Sequence, residues 1–478
     1  MEGKKPNLNV CIIGHVDSGK STTMGNLAYQ LGVFDQRQLT KLKAEADSHG
    51  KGTFAYAYFF DNTAAERKRG ITIDITLKEF KLKKFNANII DCPGHKDFIK
   101  NTVTGAAQAD VAVALVPASD FAAATSPKAT LKDHIMISGV MGIKRLIICV
   151  NKMDEFPPEK QKEKFEWIKK EMLFISQRLH PDKDPIIIPI SGLKGINIAD
   201  HGEKFEWFEG WQKKDANNNL IGEKVFTLEG ALNYCDLPER PIGKPLRMPI
   251  TDIHTITGIG TIYTGRVDTG VIRPGMSISI QPANVFGEVK SLQIHRQDQK
   301  EVICGENIGL ALKSGAKGNL TQIKKGNVIS DTKTSPCVIQ PACKARVIVV
   351  EHPKGIKTGY CPVMDLGSHH VPAKIAKFIN KKGPKDKEPV TEFDSIQNKD
   401  NALCVIVPQK PIVMEVLKDF PSLSRFALRD GGKIVAIGSI VEVLTKEQCE
   451  KLGADVSITQ GKAAAASKPA ETSKKSKK

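Results

Sequence analysis

A glycine-rich segment near the start of the chain carries the side chains best suited to binding phosphate. Residues 14–21 read Gly-His-Val-Asp-Ser-Gly-Lys-Ser, which matches the pattern Gly-x-x-x-x-Gly-Lys-Ser/Thr. The glycines let backbone N–H groups close around phosphate oxygens, Lys20 can reach the β and γ phosphates, and the Ser21 hydroxyl can ligate Mg²⁺. Taken alone, the motif could be a chance glycine-rich turn.

Three further polar motifs follow in order, each at the end of an expected strand. In residues 91–94, Asp-Cys-Pro-Gly, the aspartate can orient a magnesium shell and the Gly94 N–H can sense a γ-phosphate. Loss of that phosphate would release the segment that follows. In residues 151–154, Asn-Lys-Met-Asp, Asp154 can accept both donors on the Watson–Crick edge of guanine, whereas adenine presents a mismatched edge. Residues 191–193, Ser-Gly-Leu, suit a backbone contact to the guanine oxygen.

Four motifs in this order argue against a chance match of the first one. They predict a site that holds GTP or GDP together with Mg²⁺. The residues that we assign to the nucleotide are Gly14, His15, Val16, Asp17, Ser18, Gly19, Lys20, Ser21, Thr22, Asp91, Gly94, Asn151, Lys152, Met153, Asp154, Ser191, Gly192 and Leu193.

The residues between the motifs predict the elements that must position them. Helical stretches beginning near residues 20, 96 and 158 alternate with short β-branched runs at 8–13, 87–91, 111–116, 145–150 and 186–190. Strands that alternate with helices imply a parallel sheet covered on both faces. Ligands of such sheets bind beyond the carboxyl ends of the strands, which is where the motifs lie.

Beyond about residue 240 the pattern changes to short alternating strands separated by glycine, which is typical of β-barrels. The last 18 residues, from Gly461, contain six lysines and one glutamate. We therefore expect a mostly parallel α/β domain with helices on both faces over 1–240, all-β barrel domains over 241–332 and 333–445, and a basic, disordered tail over 446–478.

Composition limits the partners and the compartment. Among 478 residues, 70 Lys and Arg against 53 Asp and Glu give a net charge of +17. This charge favours a polyanionic partner such as RNA, with acidic filaments and membrane surfaces as alternative partners. The ten cysteines are scattered without the spacing of a zinc site, so we expect reduced thiols. Neither a signal peptide nor a run of roughly 18 apolar residues is present, which predicts a cytoplasmic protein without integral membrane association.

The sequence segments that contain and surround the motifs resemble those of the translation-factor GTPases, the family of elongation factor Tu. They are most similar to its elongation factor 1 alpha branch. The similar segments are residues 14–22, 66–73, 91–95, 151–154, 258–266, 305–309 and 425–430. The resemblance covers essentially the whole chain up to about residue 445. It implies an α/β P-loop GTPase domain followed by two all-β barrel domains, and hydrolysis of GTP to GDP and phosphate.

The resemblance also implies roles that spacing alone does not define. Thr72 would join Ser21 on Mg²⁺ when GTP is bound. His95 would be the catalytic histidine that positions the attacking water once the ribosome orders it. Val16 and Ile71 would form the apolar gate that this histidine passes, although each could simply be a packed loop residue.

Members of the family deliver aminoacyl-tRNA to the ribosomal A site, with a guanine nucleotide exchange factor as a further partner. By position, Thr261, His295 and Asn307 fall where the second domain holds the aminoacyl end. Arg425 and Arg429 fall where the third domain meets the tRNA backbone, and phosphate contacts there would set register without reading sequence. Short β-barrels carry many polar turn residues, so a structural role stays open for each of the five.

Three other functions remain open from the sequence. A termination or ribosome-rescue GTPase shares the motifs but usually carries a long N-terminal extension, whereas only about six residues precede the first strand here. A sulfate-activating GTPase subunit shares the fold, but the sequence motifs of this chain fit that class of protein less well. Actin binding through the basic surface and residues 468–478 is expected, if present, as a second activity. The chain also departs from the family at Gln293, where glutamate is usual in the aminoacyl-end pocket.

Overall fold

Two units of nearly equal size divide the chain between Arg240 and Pro241. The computed structural model describes residues 5–50, 52–61, 66–67, 72, 74–215, 217, 219–257, 260–295, 297–384, 386 and 388–456, with the backbone alone for residue 53. No helix within these ranges is long and apolar enough to cross a membrane.

The first unit is built on a six-stranded sheet with the order β2-β3-β1-β4-β5-β6. Its strands are β1 (Asn7–Gly14), β2 (Thr76–Lys81), β3 (Asn86–Asp91), β4 (Val111–Pro117), β5 (Arg145–Asn151) and β6 (Ile186–Pro189). Strands β1 and β3 to β6 run parallel, as predicted. Every residue of β1 and β4 is buried, because a parallel sheet covered on both faces needs continuous apolar strands.

Helices cover this sheet on both faces and start at recognisable signals. The helices are α1 (Lys20–Gln30), α2 (Gln36–Ser48), α3 (Ile99–Ala107), α4 (Phe121–Ala124), α5 (Leu131–Val140), α6 (Pro158–Leu179) and α7 (Leu228–Tyr234). Helix α2 starts at a capping box in which Asp35 and Gln38 bond reciprocally. Helix α6 starts with Pro158 at its first position, where the missing N–H costs nothing.

Helices α2 and α7, one edge strand and one hairpin of the first unit were not predicted. Strand β2 pairs antiparallel with β3 at the edge of the sheet, and its mixed burial pattern reflects the half-exposed position of an edge strand. Strands β7 (Trp211–Lys214) and β8 (Leu220–Val225) form a separate hairpin. The polar sequence between these two strands hides the pairing.

The second unit begins with an antiparallel barrel in which β12, β17, β9, β10, β16 and β13 pair in that order and β12 also pairs with β13. Its strands are β9 (Met248–Ile256), β10 (Gly260–Arg266), β11 (Val271–Ile272), β12 (Ser277–Gln281), β13 (Val285–Ile294), β14 (Gln297–Asp298), β15 (Val302–Ile303), β16 (Asn307–Leu312) and β17 (Val328–Asp331). In β13 the buried residues are Val285, Val289, Leu292 and Ile294, and their spacing changes at the register shift between Val289 and Ser291.

The next barrel closes in the order β18-β23-β21-β20-β24-β25. Its strands are β18 (Ala342–Val349), β19 (Ile356–Lys357), β20 (Val363–Leu366), β21 (His369–Lys382), β22 (Ser395–Ile396), β23 (Asn401–Pro408), β24 (Arg425–Asp430) and β25 (Lys433–Leu444). Both barrels therefore have six principal strands, and the predicted fold class is confirmed.

The start of the expected disordered tail is helical. Helix α8 (Lys446–Lys451) opens with a capping box between Thr445 and Gln448. Its Cys449, together with Ala454 and Val456, packs against the outside of the last barrel. These apolar side chains provide the burial that the prediction overlooked, so disorder from residue 446 was wrong. Residues 457–478 lie outside the described part of the chain.

A buried arginine joins the two barrels within the second unit. Arg247 contacts Glu415 at 2.8 Å, donates a 2.8 Å hydrogen bond to the carbonyl of Ser335, and lies over the Phe420 ring at 4.3 Å. Phe420 belongs to a small apolar cluster that includes Val328 of the first barrel. Together these contacts hold one barrel against the other.

Candidate nucleotide-binding site

A cavity of about 300 Å³ lies beyond the carboxyl ends of the parallel strands. The predicted residues that line it are Val16, Asp17, Gly19, Lys20, Ser21, Thr22, Thr72, Gly94, His95, Asn151, Lys152, Asp154 and Leu193. Other predicted nucleotide residues stand behind this wall: Gly14, His15, Ser18, Asp91, Met153, Ser191 and Gly192. Phe54, Ala57, Asp61 and Glu155 also line the cavity and were not predicted.

The phosphate end of the cavity is formed by the loop between β1 and α1. Lys20 is buried, and its ammonium group donates to the carbonyl oxygens of His15 at 2.7 Å and Gly14 at 3.3 Å. A Cβ at Gly94 would lie 2.6 Å from Lys20 Nζ and 3.0 Å from the His15 carbonyl, so a larger residue here would displace the lysine head. Burial lowers the pKa of Lys20, while Asp91 and Asp17 act in the opposite direction. The arrangement puts a cation where phosphate oxygens would meet backbone N–H groups.

The predicted magnesium ligands lie together. Ser21 Oγ donates to Asp91 Oδ2 at 2.6 Å and lies 3.4 Å from Thr72 Oγ1. The second carboxylate oxygen, Asp91 Oδ1, is buried without a hydrogen-bond partner among the described residues. Burial raises the pKa of Asp91 to about 6, opposed by the Ser21 hydrogen bond and by Lys20. An unpaired buried carboxylate oxygen beside two hydroxyls fits a hard cation with oxygen ligands.

The guanine end is organised around Asn151. Its side-chain oxygen accepts the Gly192 N–H at 2.8 Å, and its amide nitrogen donates to the Ser18 carbonyl at 2.9 Å. Asn26 on α1 supports the same loop by donating to the carbonyls of Gly192 at 2.9 Å and Leu193 at 3.1 Å. Asn151 therefore ties the phosphate loop to the loop after β6, and Asn26 is a supporting residue that the sequence did not reveal.

Two charged residues of the Asn-Lys-Met-Asp motif face the cavity with partners of their own. Asp154 Oδ2 lies 3.6 Å from Lys194 Nζ, and Lys152 Nζ lies 3.7 Å from Asp120 Oδ2. Lys152 has a φ of 63°, in the left-handed region. Met153, by contrast, is fully buried and serves the core. The motif thus presents one carboxylate and one lysine side chain to the cavity.

The predicted catalytic histidine stands at the mouth of the cavity. His95 Nδ1 accepts the Asp97 N–H at 3.2 Å, and the ring is partly exposed. Val16, one of the two predicted gate residues, lines the same cavity. The other, Ile71, lies outside the described residues. His95 follows Gly94 directly, so its position depends on how Gly94 is held.

Helix α5 contributes two residues that sequence reasoning missed. Thr130, just before the helix, donates to the Gly94 carbonyl at 2.8 Å, and its hydroxyl lies 3.2 Å from His15 Nδ1. His134 Nδ1 accepts the Gly14 N–H at 3.4 Å, and burial lowers the pKa of this histidine to about 3. These residues follow the Gly94 motif by some forty positions, so neither lies within a motif that would signal them.

The predicted aminoacyl-end residues occupy the first barrel but do not converge on one point. Asn307 begins β16 opposite Arg266 at the end of β10, whereas Thr261 lies five positions earlier in β10, roughly 17 Å away along the strand. His295 is exposed and follows β13, whose Gln293 pairs with Gly309. His295 and Asn307 therefore share one end of the barrel. Gln293 donates to Asp298 at 2.9 Å.

The two predicted tRNA-backbone arginines differ in their surroundings. Arg429 Nε donates to Asp365 Oδ2 at 2.9 Å and Nη2 donates to Oδ1 at 3.3 Å, and the same carboxylate contacts His370 Nδ1 at 2.7 Å. Asp365 is fully buried. Arg425 begins β24, and burial lowers its pKa. Arg429 thus has part of its donor set committed within the barrel, which the sequence did not indicate.

Family models match three parts of the chain. The elongation factor Tu GTP binding domain matches residues 5–238. Elongation factor Tu domain 2 matches residues 260–330. The C-terminal domain of the GTP-eEF1A type matches residues 342–441. The matched segments follow the order of the α/β unit and the two barrels.

Relatives and solved structures agree with these matches. Elongation factor 1-alpha of Encephalitozoon cuniculi is 49% identical over 474 residues, which is 99% of this chain and 98% of that protein. The oocyte form from Xenopus laevis is 40% identical and covers 92% of this chain and 95% of that protein.

Two solved structures share the fold at lower identity. The GTPase-like domain of Ski7 from S. cerevisiae, bound to GDP and inorganic phosphate, has a TM-score of 0.71 at 17% identity over 92% of this chain and 98% of that chain. Translation elongation factor SelB from Methanococcus maripaludis with a GTP analogue has a TM-score of 0.63 at 22% identity over 93% and 81%. Because the two elongation factor 1-alpha relatives match this chain over nearly its full length, the chain belongs to the elongation factor 1-alpha family of GTP-hydrolysing translation elongation factors.

Proposed function

We propose that the chain carries aminoacyl-tRNA to the ribosomal A site in its GTP-bound form and releases it after ribosome-stimulated hydrolysis of GTP. The observation that carries the proposal is the convergence of a phosphate loop and a guanine loop on one cavity, tied together by Asn151. The +17 charge supplies the electrostatic attraction that an RNA cargo requires.

In this proposal each end of the cavity recognises one end of the nucleotide. Lys20 and the N–H groups of the glycine-rich loop bind the β and γ phosphates. Asp154 accepts the two donors of the guanine edge, and the backbone of residues 191–193 contacts the guanine oxygen. Gly94 senses the γ-phosphate because its N–H follows the strand that ends at Asp91.

Ser21 and Thr72 would hold Mg²⁺, with Asp91 orienting the ion through the Ser21 hydroxyl. When bound, the ion neutralises charge that develops on the phosphate oxygens. The unpaired Asp91 Oδ1 supports this assignment, because a buried carboxylate oxygen without a partner is costly unless a cation or its water shell satisfies it.

His95 would position the water that attacks the γ-phosphate. In the structure its ring is tethered by the Asp97 N–H and sits at the cavity mouth. Hydrolysis therefore requires a movement of the ring inward past Val16, with Ile71 as the other side of the gate. Such gating by a partner would make hydrolysis depend on the ribosome.

The cargo would lie on the second unit. We assign the aminoacyl end to the barrel over 241–332, through Thr261, His295 and Asn307. The tRNA backbone is assigned to the barrel over 333–445, through Arg425 and Arg429, and the nucleotide to residues 1–240. The separation of Thr261 from Asn307 suits an extended single-stranded end better than a compact ligand.

Further partners follow from the family. A cytoplasmic location and a guanine nucleotide exchange factor are part of the proposal, because a loaded GDP site must be emptied for the next cycle. Nothing in the described residues favours a termination, rescue or sulfate-activating role. Filament binding would be a second activity of the basic surface.

Protection of charged tRNA tests the proposal. Aminoacyl-tRNA is incubated with the purified chain and either a non-hydrolysable GTP analogue or GDP, and hydrolysis of the aminoacyl ester is followed. We expect slow hydrolysis with the analogue and fast hydrolysis with GDP. Equal protection in both states would rule the proposal out, and uncharged tRNA serves as the competitor control.

A further inference from the structure

One hydroxyl group contacts two loops of the nucleotide site. Thr130 is 4% exposed and immediately precedes α5. Its Oγ1 donates to the Gly94 carbonyl at 2.8 Å and lies 3.2 Å from His15 Nδ1 in the phosphate loop. The backbone N–H of Thr130 also donates to the same ring nitrogen at 3.4 Å. Thr130 therefore bridges segments that are 36 and 115 residues away along the chain.

This hydroxyl does not cap its own helix. A threonine that immediately precedes a helix usually accepts a hydrogen bond from the N–H of the second or third helical residue. That bond stabilises the helix by about 1 kcal/mol. Thr130 makes no such side-chain bond. The side chain is instead directed at Gly94 and His15, so its placement serves the loops rather than α5.

Counting protons shows how the two contacts depend on each other. A hydroxyl has one proton, and the geometry gives it to the Gly94 carbonyl, which can only accept. His15 Nδ1 accepts the Thr130 N–H and therefore carries no proton. Burial and the nearby Lys20 lower the pKa of His15, so the ring keeps a single proton, which lies on Nε2. If Gly94 moves away, the hydroxyl can turn and donate to Nδ1, which lies 3.2 Å away.

We propose that Thr130 is a positioning residue that anchors the Gly94 carbonyl, and that its hydroxyl turns to His15 Nδ1 when this anchor is released. The anchor fixes a glycine that would otherwise rotate freely. Held in this way, Gly94 keeps its N–H toward the γ-phosphate on one side and sets the direction of His95 on the other. The proposal rests on the proposed function, because it assumes that GTP occupies the cavity.

Two substitutions at Thr130 separate the hydroxyl from the shape of the side chain. Thr130→Val keeps the volume and removes the hydroxyl, and Thr130→Ser keeps the hydroxyl. Dissociation constants are measured for a non-hydrolysable GTP analogue and for GDP. We expect the valine variant to bind the analogue about tenfold more weakly and GDP less than about threefold more weakly, since one buried carbonyl loses its partner only in the GTP state. Serine should restore both values.

Equal losses for both nucleotides in the valine variant, or an unchanged ratio, would overturn the proposal. A serine variant that behaves like valine would do the same, because the effect would then come from packing. If the wild-type chain itself shows no preference for guanosine over adenosine nucleotides, the proposed function fails as well. If the wild-type chain is specific for guanine nucleotides but the valine variant binds them as tightly as the wild type, only the role of Thr130 is contradicted.

The His15 ring gives a second measurement, which uses the wild-type Thr130. The full chain is labelled with ¹⁵N-histidine, and the ring nitrogens of His15 are identified by comparison with His15→Gln. We expect an Nε2–H ring in both states, and an Nδ1 resonance that moves upfield with GDP because the Thr130 hydroxyl then donates to Nδ1. The same Nδ1 chemical shift in both states would contradict the proposal.

Discussion

The Asn151 side-chain oxygen accepts the N–H of Gly192 at 2.8 Å, and this bond joins two loops that lie 41 residues apart. The amide nitrogen of the same side chain donates to the Ser18 carbonyl at 2.9 Å. One carboxamide therefore supports the loops at both ends of the cavity. Because neither bond involves the γ-phosphate side of the cavity, this support should be the same for GTP and GDP.

Asn151→Ala should weaken GTP and GDP binding equally. Both bonds are buried, and their loss leaves the Gly192 N–H and the Ser18 carbonyl without partners. We expect a loss of roughly tenfold to a hundredfold for each nucleotide, on the basis of 1–3 kcal/mol for unsatisfied buried groups. Fluorescent nucleotide titration gives both constants. A variant that loses GTP alone would show that Asn151 belongs to the γ-phosphate side.

Asp154→Asn should change the base that the cavity prefers. The carboxylate accepts two guanine donors, whereas an amide offers a donor that matches the extra carbonyl of xanthine. We expect weaker GTP binding and tighter binding of xanthosine triphosphate, each by at least about tenfold. Lys194→Ala is the matched control, since Lys194 lies 3.6 Å from Asp154 and is exposed. Unaltered base preference in the asparagine variant would place the guanine elsewhere.

His95→Ala should strongly slow ribosome-stimulated hydrolysis while leaving nucleotide binding intact. The ring is 39% exposed and accepts the Asp97 N–H, so we expect its removal to leave the phosphate loop in place. We expect single-turnover hydrolysis on ribosomes to slow by roughly a hundredfold or more. Asp97→Ala removes the exposed neighbour 3.4 Å from His95 Nδ1 and should retain most of the activity. Wild-type rates in the alanine variant would assign the water-positioning role to another group.

Sequence patterns were sufficient where the chemistry is local. The loop of residues 14–21 and the motif of residues 151–154 each carry their function within eight residues, and the strands before them are continuous apolar runs. Their convergence followed from the rule that ligands bind at the carboxyl ends of parallel strands.

Long-range side-chain contacts could not be predicted in this way. Thr130 meets His15 across 115 residues, and Arg429 meets Asp365 across 64. Neither pair belongs to a motif, and the second depends on barrel register, which alternation alone does not define. The helix at Lys446–Lys451 was missed because its burial comes from single apolar residues in a short, mostly polar segment.

Acid should destabilise the first unit through His180. Burial lowers the pKa of this histidine to about 4, and its Nδ1 accepts the Asp182 N–H at 3.1 Å. The unfolded chain binds a proton near pH 6.5 and the folded chain does not, so stability is complete above pH 6.5 and falls as the pH drops toward 4. We expect His180 to account for a loss of roughly 2–3 kcal/mol across this window.

His180→Asn isolates this effect. Asparagine can accept the same backbone N–H two residues on and does not titrate. All three tryptophans, Trp167, Trp207 and Trp211, lie in the first unit, so tryptophan fluorescence during urea unfolding reports on that unit. The variant should lose less stability than the wild type between pH 7 and pH 4.5. Parallel pH profiles would exclude His180 as the source.

Arg247→Met should loosen the junction between the two barrels. Methionine keeps part of the packing over Phe420, but the ion pair with Glu415 and the bond to the Ser335 carbonyl are lost. Breaking a buried ion pair costs about 3–5 kcal/mol. Because the second unit lacks tryptophan, hydrogen–deuterium exchange is the suitable measurement, and protection should fall near Ser335 and Glu415.

Arg273→Met supplies the matched control for this loss. Arg273 pairs with Glu301 on the surface, where its side chain is 59% exposed, and exposed pairs contribute about 0–1 kcal/mol. Exchange near the barrel junction should therefore stay at the wild-type rate in this variant. If both methionine variants left exchange unchanged, the barrels would be held by the apolar cluster around Phe420 rather than by the arginine.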